Sequence, residues 1–204
     1  MKRALPTRLA AFTIAIGFSM SLGSPTATAA TPAPVAPRDE VIWTTDPGLI
    51  DAGMSRSAAI AATTEAAAVV AQPPAAWAGC GVNVDANKVV RTFPQAKVLK
   101  CGNANWGYFH IKARHAADWE AKAALTGQNW RDVADIGMYG ALNTPEVTTL
   151  RSSNDTTCYS KKIYLVRLSD KKTVGTTIAR VVAGNRSNNV VTSFPSSGHC
   201  TGTE

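Results

Sequence analysis

Four cysteines, Cys80, Cys101, Cys158 and Cys200, constrain the fold of this chain more than any other feature. They form an even set, all beyond residue 78, behind a stretch that reads as a secretory signal. Lys2, Arg3 and Arg8 give a basic start, Leu9 to Leu22 is mostly apolar, and Ala27-Thr28-Ala29-Ala30 has the small-residue pattern of a cleavage site. Thr13, Gly17 and Ser19 interrupt the apolar run, which is too short to span a bilayer comfortably. Residues 1–30 are therefore expected to be removed, leaving a secreted, extracellular protein with no stable membrane association. In an oxidising compartment the cysteines are expected to pair as two disulfides. Three pairings exist. Cys80–Cys101 with Cys158–Cys200 is preferred, because it ties the domain's first strand and its last residues to the sheet. Each closed loop contributes roughly 3–4 kcal/mol in the chain-entropy account. No Cys-x-x-Cys or Cys/His pair has zinc-ligand spacing, so no metal is expected. His199, next to Cys200, reads as exposed.

Charge is unevenly distributed. Residues 31–77 hold two basic and five acidic side chains, net −3, whereas residues 78–204 hold sixteen and nine, net +7. A basic domain behind an acidic leader points to an anionic partner, although such a charge also serves solubility alone.

Residues 31–44, with Pro32, Pro34 and Pro37, read as a flexible linker, and alanine-rich Ser57–Ala71 as a weakly amphipathic helix stopped by Pro73-Pro74. The domain is cut at residue 78, giving 31–77 as linker and helix and 78–204 as the basic domain. The domain opens with extended pieces at Lys88–Phe93 and Ala96–Cys101. Two helices follow. Phe109–Leu125 steps through His115, Trp119, Lys122 and Ala123 and ends at Gly127; the next starts after the capping Asn129 and stops at Asn143-Thr144-Pro145. Strands are expected at Val147–Arg151, Thr157–Leu168, Thr173–Ala183 and Asn189–Phe194, separated by the polar turns Ser169–Lys172 and Gly184–Asn188. This is an α+β layout: two helices packed on an antiparallel sheet of about four strands, stapled by two disulfides.

Two of the chain's three histidines lie in Gly107-Tyr108-Phe109-His110-Ile111-Lys112-Ala113-Arg114-His115, with the cations Lys112 and Arg114 between them. Imidazoles exchange protons near neutral pH, so such a pair beside cations is a candidate acid–base site for a phosphodiester. At about 100° per residue, positions i and i+5 diverge by about 140°, so both rings face one phosphate only if His110 precedes the first helical turn. His115 is preferred, since Trp119 and Lys122 follow it at i+4 and i+7. Arg180, among apolar Ile178, Val181 and Val182, needs a partner or a ligand. Trp106, Trp119 and Trp130 read as core rather than as stacking platforms, and Asp118 and Glu120 as the first helix's solvated face.

The order of the His110…His115 helix start, the strand through Arg180 and the final strand Val190-Val191-Thr192-Ser193-Phe194-Pro195 resembles the small metal-independent ribonuclease fold of barnase-like enzymes and bacterial polymorphic toxin domains. It is most similar to the RNase A-like toxin domains of contact-dependent inhibition proteins, which have a His-(Thr/Ile)-x-x-(Lys/Arg)-His helix start and a Thr-Ala-Tyr-Pro strand end. The likeness covers residues 105–196 in element order and about ten residues in motif. It implies RNA as the anionic substrate, no cofactor, His115 or His110 as the proton-transfer residue, and Thr192 on the scissile phosphate. It also leaves room for a neutralising immunity protein. Phe194 stands where the family has tyrosine and brings no hydroxyl. The family's helix cation has Lys122 as its nearest counterpart and Arg131 as the next.

The leading expectation is a secreted ribonuclease-like toxin domain cleaving RNA by transphosphorylation. Its catalytic set is His115, His110, Thr192 and Arg180, and its substrate contacts are Arg114, Lys112, Lys122 and Phe194. The alternative is a non-enzymatic exported protein that binds a polyanion or a protein. A Ser-His-Asp hydrolase is disfavoured, as no Gly-x-Ser-x-Gly elbow occurs.

Overall fold

Two long strands set the architecture, because their alternation fixes which residues face the helices. In a computed structural model, which describes residues 40–68 and 79–202, the elements in chain order are β1 (Val41–Thr44), α1 (Arg56–Ala68), β2 (Val89–Thr92) and β3 (Val98–Lys100). They continue with α2 (Gly107–Ala123), α3 (Trp130–Asn143), β4 (Val147–Arg151), β5 (Thr156–Arg167), β6 (Thr173–Gly184) and β7 (Val190–Ser196). The signal reading of residues 1–30, the prolines of the linker and Pro73-Pro74 lie outside the described residues.

The main sheet is antiparallel, with order β1-β5-β6-β7, and β4 also pairs with β5. β1 and β4 share the outer edge of β5, β4 opposite Thr156–Ser160 and β1 opposite Tyr164–Arg167. β2 and β3 form a separate two-stranded ribbon. Ile163, Ala179, Val181 and Ala183 turn to one face and join Tyr108, Ile111 and Trp119 of α2 and Val133, Met138 and Leu142 of α3 in the main core. At about 100° per residue the α2 positions fall on one stripe, whereas α3 is buried around most of its circumference from Val133 to Leu142. Asn129 caps α3 as expected, its side chain accepting the Arg131 N–H at 2.9 Å.

The protein is thus an α+β fold, three helices on a curled antiparallel sheet, held by Cys80–Cys101 and Cys158–Cys200. Both disulfides follow the preferred pairing. One element exceeds the sequence reading. Residues 41–44, taken as linker, are a sheet strand, with Trp43 buried in the main core and its Nε1–H donating to the Lys122 carbonyl at 2.9 Å. Ile42 and Ile50 also join Ala59 of α1, Val166 and Leu168 in a smaller second core. β1 and α1 thus pack with elements that follow residue 78.

The opposite face of the sheet, carrying Cys158, Ser160, Arg180 and Val182, is crossed by the C-terminal segment. The Cys158–Cys200 disulfide packs there on Val182. Among the described residues no helix is long and apolar enough to cross a membrane.

Candidate active site

A tight loop between β3 and α2 decides where the first histidine sits. Gly102 and Gly107 both adopt positive φ, +64° and +79°, and a Cβ at Gly107 would lie 2.7 Å from the Lys100 carbonyl oxygen. A Cβ at Gly102 would collide with the Trp106 carbonyl. Only glycine fits at both places. The loop they close turns the Ala104 carbonyl toward His110, whose Nδ1 lies 2.8 Å from it. A carbonyl can only accept, so Nδ1 carries the proton and Nε2 holds the lone pair.

His115, in the middle of α2, is held in the same sense. Its Nδ1 is 3.2 Å from Asp118 Oδ2, with the ring 23% exposed. Its own ring stacks on Phe194 of β7 at 4.9 Å between centroids and 28° between planes. β7 is an edge strand and α2 packs along it, so a helix side chain can reach a ring on that strand.

The rings of His110 and His115 meet edge to face, 5.8 Å between centroids. This corrects the expected divergence. His110 lies inside the helix, which begins at Gly107, so the backbone does separate the two Cα–Cβ bonds. The rings nevertheless come into contact at the ends of their side chains.

Arg180 has the partner its surroundings demand. It is 8% exposed; its Nε donates to the Gly198 carbonyl at 2.7 Å and its Nη2 to the His199 carbonyl. Its guanidinium carbon is 6.0 Å from the Phe194 ring centre. Arg180 is therefore a strut for the C-terminal segment that also backs the ring under His115. Thr192 shares the face of Phe194, two residues before it, and its Oγ1 is buried with no hydrogen-bond partner among the described residues. Lys112 and Arg114 are exposed on α2, without an ion-pair partner among the described residues. Lys122 lines a cleft one turn beyond Asp118. Arg131 is turned away: its Nη2 donates to the Tyr108 hydroxyl at 3.1 Å and its guanidinium lies over Tyr108 and Trp130. Of the three tryptophans, Trp119 is fully buried, its Nε1–H donating to the Ser193 carbonyl at 3.2 Å, while Trp106 and Trp130 are partly exposed.

Three participants escaped the sequence reading. Asp118 was taken as solvated surface, although a His-x-x-Asp spacing on a helix is the available signal for a carboxylate that orients an imidazole. The Ala104 carbonyl has no sequence signature. Lys162, on β5, also lines the cleft.

The third histidine belongs to a separate set. His199 Nδ1 is 3.1 Å from Ser160 Oγ, and Nε2 is 3.5 Å from Glu146 Oε2. The order suggests a hydrolytic triad, but Ser160 is fully buried and its Oγ accepts the Cys200 N–H at 3.2 Å. It fastens the C-terminal segment beside the disulfide and is closed to a substrate. Among the described residues no three His, Cys, Asp or Glu side chains gather as a metal site.

No family model matches the chain, and no solved structure does either. It is similar to uncharacterized proteins of two strains of Mycobacterium tuberculosis, with 34% identity over 140 residues, 60% of this chain and 50% of theirs. The chain thus spans about half the length of the curated relatives it matches.

Proposed function

We propose that this protein is an exported, metal-independent ribonuclease-like toxin domain that cleaves RNA by transphosphorylation. One observation carries the reading: two imidazoles stand 5.8 Å apart, each with Nδ1 committed to an acceptor, leaving two Nε2 atoms for one substrate. In the reaction one Nε2 takes the proton of a ribose 2′-hydroxyl as that oxygen attacks phosphorus. The other imidazole, protonated, gives its proton to the 5′-oxygen as the P–O5′ bond breaks. The products are a 2′,3′-cyclic phosphate and a free 5′-hydroxyl. Asp118 orients His115 and balances the positive charge it gains. Lys112 and Arg114 supply cations for the phosphoryl oxygens, whereas the Thr192 hydroxyl is buried behind the surface and takes no part. Phe194 holds His115 by stacking and provides no hydroxyl. Export is supported by the two disulfides, which suit an oxidising compartment.

Purified protein in EDTA, assayed on RNA from about pH 5 to 8 where imidazoles titrate, tests this. His115→Ala should lower cleavage about 10²- to 10⁴-fold with the folded state unchanged. Folded wild-type protein that leaves RNA intact at every pH would refute it.

The competing reading is a non-enzymatic binder of a polyanion or protein. It is favoured by Arg180, whose donors are spent on Gly198 and His199, and by the missing hydroxyl at Phe194. It predicts salt-sensitive retention of RNA with no cleavage.

A further inference from the structure

β7 pairs with β6 only from Ile178 onward, where Ser196 is the partner. The preceding β6 residues pair with β5 alone, so this stretch of β6 is a bare edge with unpaired backbone groups. α2 runs past it, and a cleft of about 560 Å³ opens between them. Asp118 and Lys122 line it from the helix, Thr176 and Thr177 from the bare edge, and Lys162 and Ser196 from the flanking strands.

Two features single this cleft out. Lys162, Ile178 and Ser196 are cross-strand partners in one row, adjacent to the row Ser160, Arg180 and Phe194. Lys162 thus emerges on the face of Phe194, one row away from it. On α2, His115, Asp118 and Lys122 follow at i, i+3 and i+7, which places them on one side of the helix. Asp118 belongs to both places, since it bonds His115 and forms part of the cleft wall. Neither Lys122 nor Lys162 has an ion-pair partner among the described residues, so two unpaired lysines line the cleft beside one carboxylate already engaged. Its volume falls within the range of about 300–1,000 Å³ typical of small-ligand sites.

We propose that the cleft is a nucleotide subsite: it takes the nucleotide next to the scissile phosphate, with Lys122 and Lys162 on that nucleotide's own phosphate. The inference rests on the ribonuclease reading for its place along the RNA. Its affinity for a mononucleotide does not depend on cleavage.

Titration of the full chain with adenosine 5′-monophosphate, followed by NMR or calorimetry, tests it, with inorganic phosphate as the second probe. Wild-type protein should bind the nucleotide more tightly than phosphate. Lys122→Gln combined with Lys162→Gln should weaken binding about tenfold or more. Both lysines are partly exposed, so the double variant should fold, which its melting temperature checks. Nucleotide binding with no RNA cleavage leaves the cleft assignment standing and removes the ribonuclease. RNA cleavage with wild-type KM and unchanged nucleotide binding in the double variant removes the cleft assignment alone. Equal affinity for phosphate and nucleotide, or no binding to either, also overturns it.

Discussion

Asp132 lies three residues after the cap of α3, where its carboxylate accepts the Asn129 backbone N–H. Burial raises its pKa most, the nearby Asp135 charge adds to the rise, and Arg131 and the Asn129 amide work against it. A carboxyl raised in the folded state binds its proton better there than in the unfolded chain. Its stabilising contribution is therefore complete at low pH and is lost as pH climbs through the raised value. Asp132→Asn should accordingly gain in melting temperature relative to wild type as pH goes from acid to neutral. Melts across that range check this, and a difference that shrinks with rising pH would contradict it. The residue scale is also where the sequence was hardest to read. His110 and His115 stood out as the acid–base candidates, but their partners did not, because a backbone carbonyl is anonymous and Asp118 looks like any helix-surface acid. Arg180 signalled correctly that it needed a partner, without revealing that the partner is main chain.

At the scale of elements, one contact binds the β2–β3 ribbon to α3. Arg91 meets Asp135 in a two-pronged pair, Nε to Oδ1 at 2.9 Å and Nη2 to Oδ2 at 2.7 Å, with side chains 4% and 10% exposed. The Arg91 guanidinium also lies over Phe93, 5.4 Å from the ring centre. Removing one partner leaves the other charge buried, so Asp135→Ala should cost about 3–5 kcal/mol in urea unfolding. A loss under about 1 kcal/mol, the value of an exposed pair, would show that the site is open to water. Most elements were legible because local chemistry marks their ends. The turns Ser169–Lys172 and Gly184–Asn188 delimit β5, β6 and β7, and Asn129 starts α3. β1 was not, since four residues after a proline-rich stretch carry no local mark of a pairing with Tyr164–Arg167. That pairing is decided by the buried faces of Ile42 and Trp43, a property of the tertiary fold.

For the whole molecule, the two disulfides divide the work. Cys80–Cys101 spans 21 residues of sequence and ties the segment before β2 to the loop that places His110; Cys158–Cys200 spans 42 and pins the C-terminal segment across the sheet. The longer loop should contribute about 4 kcal/mol. Cys158→Ala with Cys200→Ala should lose most of that in denaturant unfolding, and an unchanged midpoint would mean that the Arg180 and His199 contacts hold the segment unaided. The same segment carries the carbonyls that bind Arg180, which in turn lies over the ring that supports His115. Fold and candidate site are therefore linked through residues 198–200.

RNA cleavage by the full folded chain in EDTA, compared among wild type, His110→Ala and His115→Ala, tests the central claim most directly. The paired-imidazole account predicts a rate that rises and falls across the imidazole range and collapses about 10²-fold or more in either variant. Cleavage that survives both substitutions, or that is absent from folded wild-type protein, would contradict it.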